Sequence, residues 1–562
     1  MLNDIIQSVF RFADTDAKTT AKVLKEHEDQ LTRVLKDTVP GLVQGSADNA
    51  TQATLSAVGT DDRLTGTSQH HRVLVHPDAF HVSVLFQPTL AWLDRIAQVL
   101  PSGLEAARAS SVVLDEFVLN VYLPQLEDKV SLVFHHTVTS PDAFEPDPAS
   151  TKLSTEPLVK VMALINSLCA MLRTTPFHRE NYSRLILTVI GQFYQRCSDR
   201  FYDLVSMKDD AAPQSGPRVA VAAQWAQKAE LVTCLAELFD AIGNPDMTTK
   251  RLQLCRQEAH LEQSLLGDRA IGKKELVASG RNLSALASLY RSVTWFASEL
   301  NALKSAPEHA LSPTTPLRLE PVSAVTPYTP YLPAIAPVQN NEPLKLPLSS
   351  AMAMRFQALH MTYAQLAEMV LYSLRIDIRC RAMHHLDLAL RHGVYRIERD
   401  VSEPDPNVID LNMELGRCDD WASSTLPVKE RQFIFEGLGH LLERLLVSNA
   451  RYIRAANAFG MKKMMRNMLA LQQNIKTITN DGHDAQFERA KRYYSLFSLS
   501  PQNMLDSIRQ KQEFSFDEYK AMLDLQCGVD PSRSEGGGSQ ASDRNYSMYV
   551  IDLHGLELEN SA

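Results

Sequence analysis

The chain has 562 residues, a net charge of −9, 44% hydrophobic residues and 22% charged residues. That length supports several domains or one long helical array, and the acidic balance argues against non-specific nucleic-acid binding, which draws on Lys and Arg against phosphate. Glycine is low at 22 residues, which argues against an α/β enzyme with many tight turns, and the seven cysteines (Cys169, Cys197, Cys234, Cys255, Cys380, Cys418, Cys527) contain no Cys-x-x-Cys, which argues against a zinc site or a disulfide framework and fits a reducing compartment.

Leu2 to Val39 has helical spacing that begins almost at Met1 and leaves little room for a cap, so the chain reads as N-terminally truncated. Its start lacks the basic residues and apolar core of a signal peptide, and no run approaches the ~20 apolar residues that cross a bilayer. Gln44 to Gln69 is small and polar, a loop. His71 to Phe86 alternates loosely and holds the one strand candidate, a short extended piece leading into a helix over Thr89–Val99. Val112–Leu132, Leu158–Leu172 and Asn181–Val205 are predicted helices, with a Pro/Asp loop at Thr139–Thr155. Met207–Arg218 is a linker. Trp225–Phe239, Lys250–Leu266 and Leu283–Leu303 are helical, the last with Leu286, Leu289, Val293, Phe296 and Leu300 on one face.

Pro307 to Pro347 carries ten prolines. Each would cost ~3 kcal/mol inside a helix, so this stretch reads as an extended or disordered linker. Ser312, Thr315, Thr326 and Thr329 precede prolines within it and match proline-directed phosphorylation sites, or simply linker composition. Ser350 to Leu525 is helical again, broken at Glu403–Asn407 and near Ser423–Pro427. After Gly528 the chain turns polar and reads as a disordered tail, leaving the apolar patch Met548–Leu553 unaccounted for.

The expected fold is all-α, an elongated rod of stacked helical bundles, because helices with one apolar stripe must cover each other. The expected partition is helical bundles over 1–205, a linker at 206–218, a middle bundle over 219–305, the Pro-rich linker at 306–349, C-terminal bundles over 350–527 and a tail at 528–562.

Candidate chemistry is sparse. Gly267-Asp-Arg-Ala-Ile-Gly272-Lys273-Lys274 nearly matches a phosphate loop, but Lys274 stands where the magnesium-binding hydroxyl belongs and a helix precedes it. The pairs His70–His71, His135–His136 and His384–His385 lack the i, i+4 spacing of helical metal ligands, and His76 and His81 have no carboxylate at ligand spacing. No His-Glu-x-x-His or Gly-x-Ser-x-Gly is present, and Cys380 and Cys418 lack a readable catalytic context. No catalytic residue, cofactor or metal is expected. Arg451, Arg454, Lys462, Lys463 and Arg466, with Lys429, Arg431 and Arg444 nearby, could form a basic face toward anionic lipid or a partner, at ~1 kcal/mol per basic residue near a lipid surface. The plainer reading, a solvated face paired with Glu436 and Glu443, is favoured. The methionines Met461, Met464, Met465 and Met468 read as adaptable core.

The stretch Phe433 to Ile478 is two amphipathic helical patterns joined at Asn457–Gly460. Its strings Phe435-Glu-Gly-Leu-Gly-His440, Gly460-Met-Lys-Lys-Met464, Arg466-Asn467 and Leu471-Gln-Gln-Asn474 resemble the C-terminal region of the exocyst complex component 4 family. The likeness extends to Leu374-Arg-Ile-Asp-Ile-Arg379, Asp405-Pro-Asn-Val, Leu411-Asn412 and Ala490-Lys-Arg-Tyr-Tyr494, and more faintly to Leu289–Trp295, Phe117–Gln125 and Phe80–Phe86. It is strongest over about 355–500. Family members are longer and start with long helices. The end here, Glu-Asn-Ser-Ala, lacks the Ser/Thr-x-hydrophobic signal that meets PDZ domains in some of them.

The resemblance implies a non-enzymatic scaffold in the exocyst, which tethers secretory vesicles to the plasma membrane before SNARE-mediated fusion. Its partners would be other exocyst subunits, with SNARE proteins, small GTPases and anionic lipid reached through the complex, and its location would be cytoplasmic and peripheral at sites of secretion. The alternative is a subunit of another helical-rod tether or a general cytosolic adaptor.

Overall fold

The computed structural model describes residues 79–99, 112, 114–139, 156–174, 178–207, 218–303, 348–479, 486–529 and 545–561. These residues form helices joined by turns and loops, with two isolated β-bridges and no strand among them. The expectations for Leu2–Val39, the loop at 44–69, most of the loop at 139–155 and the Pro-rich stretch fall outside the described residues. Backbone contacts divide the chain into two compact units. Among the described residues the first holds those up to 139, 156–194, 296–303 and 348–361, and the second holds 195–207, 218–295, 362–479, 486–529 and 545–561.

In the first unit, α1 (Ala79–Val99), α2 (Leu123–Thr139) and α3 (Glu156–Thr174) pack on one another. The expected strand over His71–Phe86 is corrected here, since from Ala79 onward the chain is helix. Alternation of apolar residues hid a helical face on which Phe86 and Leu93, seven apart, are buried. Pro88 lies inside α1, and Thr89 Oγ donates to the Leu85 carbonyl at 2.7 Å.

A π-helical turn, Val118–Tyr122, leads into α2. Leu114, Val118, Tyr122, Leu126, Val130, Phe134 and Val138 are all buried at a constant spacing of four. On a 3.6-residue helix that stripe drifts by about 40° per step, and the wider π turn absorbs part of the drift. The Tyr122 hydroxyl donates to the Ala79 carbonyl at 2.7 Å, and its ring meets Phe86 edge-on at 5.7 Å.

α4 (Arg179–Val205) matches the helix expected over Asn181–Val205, and α8 (Gly280–Ala302) follows its predicted apolar face, with Leu286, Leu289, Val293, Phe296 and Leu300 all buried. In the second unit the ends of the 206–218 linker are closed by the bridge Ser206–Val219, with Met207 N–H donating to Arg218 at 2.9 Å. The helix expected over Trp225–Phe239 is two, α5 (Val221–Trp225) and α6 (Ala229–Ala241), and α6 forms a hairpin with α7 (Thr248–Leu266). α9 (Ser350–Arg391) is the longest helix, and every residue of it from Val370 to His384 is buried.

The breaks expected near 403–407 and 423–427 separate α9, α10 (Pro406–Thr425) and α11 (Val428–Phe435). Each start is encoded locally. Asp405 accepts from Asn407 N–H at 3.1 Å with Pro406 in the first turn, and Pro427 precedes α11. α12 (Leu438–Ser448) starts after Gly437, whose φ of 71° suits glycine. α13 (Ala458–Thr479), α14 (Glu488–Ser495), α15 (Pro501–Gln510) and α16 (Phe516–Cys527) complete the core, α16 opening with a Ser515/Glu518 capping box.

Residues 546–561, expected as tail, form α17 (Tyr546–Ser561). Leu553 and Leu556 are buried, α17 packs on α15 and α16, and Tyr546 hydroxyl donates to Asp524 at 2.7 Å.

Candidate functional site

The chemistry concentrated in the second unit is buried charge. Helix α9 carries Arg375, Asp377, Arg379 and Arg381 at alternate positions, all buried. Residues four apart share a helix face and residues two apart lie nearly opposite, so the two sides of α9 bind different neighbours. On one side Arg375 and Arg379 meet Glu258 and Glu262 of α7, also four apart. Arg375 Nε donates to Glu258 at 2.7 Å, and Arg379 grips Glu262 with two bonds, at 2.7 and 2.8 Å. Arg375 also donates to the carbonyls of Phe433 and Glu436 and lies 4.9 Å from the Phe433 ring centre. The arginine thereby fixes the junction of α11 and α12.

Burial opposes the charge of Glu258, but the guanidiniums of Arg375 and Arg379 outweigh it and hold its carboxyl below the usual range. Burial pushes Glu262 upward, and the neighbouring Glu258 charge adds to this against Arg379. Burial works against both guanidiniums, yet the two glutamates keep them more basic than free arginine.

On the opposite side, Asp377 accepts from Val277 N–H at 2.9 Å, and Arg381 donates to Val277 C=O at 2.6 Å and to Asp377 at 2.7 Å. Both backbone groups of one loop residue are thus satisfied by one helix. Arg381 reaches on to Glu414 of α10 at 2.9 Å. The hydrogen bond from His385, then that from Arg381, draw the Glu414 carboxyl down to about 2. His384 binds the Ile271 carbonyl at 2.7 Å, and burial depresses its basicity.

A second network joins α13 to the loop after α9. Lys463 donates to Asp405 at 2.8 Å and to the Val394 carbonyl at 3.3 Å. Asn467, one turn on, accepts from Asp405 N–H at 2.7 Å and donates to the Tyr395 hydroxyl at 3.1 Å. Asn457 binds both backbone groups of Ile397 and accepts from Gly460 N–H at 2.9 Å. Gly460 is therefore not at the turn itself but in the first turn of α13, pressed on the Tyr395 carbonyl, where a Cβ would lie 1.6 Å from the oxygen.

The structure disperses the basic face read from the sequence. Lys463 points inward onto Asp405 and is 8% exposed. Arg466 and Lys462 share Asp400, at 2.7 and 3.7 Å. Arg451 pairs with Asp268 at 3.1 Å, and Arg454 is exposed. The expected partners serve elsewhere. Glu436 faces Arg251 at 3.6 Å, and Glu443 accepts the N–H groups of Arg489 and Ala490 at the start of α14.

The near-phosphate loop is filled by its own side chain. The Glu275 carboxylate accepts from Gly272 N–H at 2.7 Å and from Arg269 at 2.7 Å, where a phosphate would be cradled. His135 and His136 are exposed on α2, while His70, His71 and His76 lie outside the described residues. Among the described residues no cluster of three metal-binding side chains occurs, and no helix is long and apolar enough to cross a membrane. All seven cysteines are buried thiols outside any disulfide. Burial pushes Cys169, Cys255 and Cys418 up to about 12 and Cys234 to about 11, so the thiolate that reacts is scarce.

Sequence periodicity missed the ionic networks, although the strings that carried the family resemblance run through them: 374–379, 405–408, 435–440, 460–467 and 490–494. Comparison with known proteins agrees. Residues 3–90 match the family described as exocyst complex component Sec8 C-terminal, a region mostly ahead of the described residues and of the strings above. The chain is 25% identical to the probable exocyst complex component sec8 of Neurospora crassa over 97% of this chain and 54% of that protein. It is 22% identical to human exocyst complex component 4 over 80% of this chain and 45% of that protein, and 20% identical to exocyst complex component sec8 of Schizosaccharomyces pombe over 80% and 42%. The chain spans about half the length of the curated relatives it matches. Over most of its length it is similar to the Sec8, or exocyst complex component 4, proteins of fungi and animals.

Proposed function

We propose that the chain is a non-enzymatic scaffold subunit of the exocyst and acts in tethering secretory vesicles to the plasma membrane before SNARE-mediated fusion. The observation that carries this is the match across 97% of the chain to a relative named as an exocyst component. The buried charge supports it. Arg375, Arg379, Asp377 and Arg381 are each spent on a neighbouring helix or loop, which is how charge holds a framework together. A tether acts by raising effective concentration through several simultaneous contacts; it requires fixed surfaces and no bond chemistry. In this reading the chain works on the cytoplasmic side, peripheral to the membrane, and meets SNARE proteins, small GTPases and anionic lipid through its complex.

Affinity capture of the tagged chain from native lysate tests the proposal, with a full-length relative as positive control. Other exocyst subunits should be recovered with both. Their absence from the chain's eluate while the control succeeds, or recovery of a different tethering complex, would overturn it.

A further inference from the structure

A cleft in the second unit lies where the loop after α7 meets the end of α9 and α12. Four arginines converge on it: Arg269 from the loop, Arg391 from the last turn of α9, Arg444 from α12 and Arg451 from the 3-10 turn that follows. Asp387 is the one acid among the lining residues, and Leu266, Ile271, Met383, Leu441 and Leu445 give the cleft an apolar floor. The enclosed space is about 40 Å³. That admits a water or the tip of a side chain and excludes a nucleotide.

The arginines are unequally neutralised. Arg391 is paired with Asp387 at 2.8 Å, and Arg269 with Glu275 at 2.7 Å. Arg391 and Arg451 both contact the Tyr452 ring, at 3.5 and 4.8 Å from its centre, which restrains both guanidiniums. Arg451 also donates to the Tyr452 hydroxyl at 2.8 Å, and its carboxylate partner is Asp268, whose side chain is 92% exposed and readily displaced. Arg444 is half-buried, and among the described residues no carboxylate lies within ion-pair distance of it. Its contact is the Gln263 amide oxygen at 2.6 Å. Burial and then the nearby Arg489 guanidinium lower its affinity for its proton, outweighing the longer-range pull of Glu518 and Glu262. A partly desolvated guanidinium held by a neutral amide is a vacancy for an anion.

We propose that this cleft docks an acidic peptide segment of a protein partner, its carboxylates on Arg444 and Arg451 and an apolar side chain on the floor between them. Charge complementarity selects that occupant, and the site is a property of the fold whichever complex the chain enters. Pre-set guanidiniums lose little freedom on binding, which favours affinity.

The test titrates the full chain, by fluorescence anisotropy, with a short labelled peptide of Glu-Glu-Leu repeats and with its Lys-for-Glu counterpart. The acidic peptide should bind and the basic one should not. Arg444→Gln with Arg451→Gln should weaken binding roughly ten-fold or more. Lys462→Gln with Arg466→Gln, the same change of charge away from the cleft, should leave it within about two-fold, as expected for screened charge at a distance. Gln263→Glu removes no arginine but gives Arg444 a carboxylate of its own, so it should also weaken binding, and it stands in if the double variant melts early. The proposal fails if the acidic peptide does not bind, if both double variants weaken it equally, or if phosphatidylserine vesicles bind through the same arginines while the peptide does not.

Discussion

Replacing Arg379 by methionine removes a guanidinium that is 1% exposed and holds Glu262 by two hydrogen bonds. Glu262 is itself 0% exposed, and no other cation lies within ion-pair distance of it among the described residues. Breaking one side of such a pair costs about 3–5 kcal/mol, whereas replacing both sides by well-packed apolar residues is commonly neutral or stabilising. The second unit contains about 300 residues. At ~2.1 cal/mol/K per residue its unfolding entropy is about 0.6 kcal/mol/K, so a loss of about 4 kcal/mol lowers its melting temperature by about 6 °C.

Arg379→Met should show that drop in calorimetry, and Arg379→Met with Glu262→Leu should recover most of it. The pH dependence has a defined sign. Glu262 already sits above the usual 4.5, burial being the first cause, and losing Arg379 raises it further. A carboxyl raised in the folded state binds protons more tightly folded than unfolded. Its penalty is therefore full above the folded value and disappears as pH falls toward 4.5. The single variant should accordingly be closer to the parent at pH 5 than at pH 8. If the double variant melts as low as the single one, or the single deficit is the same at both pH values, side-chain volume rather than unpaired charge sets the cost and the reasoning fails.

Gly460→Ala forces a methyl into the Tyr395 carbonyl and should cost more than about 3 kcal/mol, because backbone cannot yield there as a side chain can; Gly416→Ala, with open space at its Cβ, should gain up to about 1 kcal/mol, both read by thermal melting. Lys463→Ala leaves Asp405 buried and should destabilise by about 3–5 kcal/mol, while Arg466→Ala, on a solvent-facing pair with Asp400, should melt with the parent. His440 is held down to about 4, by burial first and then by Arg256, Arg379, Arg444 and Arg489, so the folded state resists its protonation. Stability should fall as pH drops from about 6.5 toward 4, by roughly 2 kcal/mol after allowing for its partial exposure, and a His440→Gln variant should lack that component in melts taken across the range. Magnesium with ATP or GTP should give no thermal shift, because Glu275 fills the loop that would hold phosphate; a shift abolished by Lys273→Ala would contradict that.

Helix existence was legible because burial of one face repeats every three to four residues, as α8 shows. Starts were legible where a single residue sets the cap, as at Asp405 and Pro427. Three features were not. In α1, alternating apolar residues over 80–86 look like a strand, whereas Phe86 and the later Leu93 lie buried on one helical face. In α17, a polar run precedes the helix, and the residues that dock it, Leu553 and Leu556, acquire meaning only from α15 and α16. At Gly460 the sequence signals a break, whereas the structure needs the missing Cβ for contact with a carbonyl 65 residues earlier.

The ionic networks escaped for a related reason: hydrophobic periodicity treats charge as surface. Yet one signal was present. Arg375, Asp377, Arg379 and Arg381 put charge on opposite faces of a helix whose intervening residues, Leu374, Ile376 and Ile378, are apolar. A helix so marked has no side left for solvent unless it gives up its apolar residues, so its charges must find partners inside.

Those partners fix register. Glu258 and Glu262 on α7 are spaced as Arg375 and Arg379 are on α9, one helical turn or ~5.4 Å apart. Sliding one helix past the other by a turn preserves a single pair and leaves one arginine and one glutamate buried without a counter-charge. Apolar side chains would tolerate such a slip far better, since a leucine can face either of two leucines. The ladder thus penalises the near-miss arrangement more than it stabilises the correct one, which is the known use of buried charge in helix pairs. Val277 extends the same control to the loop, because Asp377 and Arg381 occupy both of its backbone groups and neither is free to bind one residue up or down. For a protein whose proposed work is to present several surfaces at set positions, fixing how its helices align bears on function more directly than any increment of total stability.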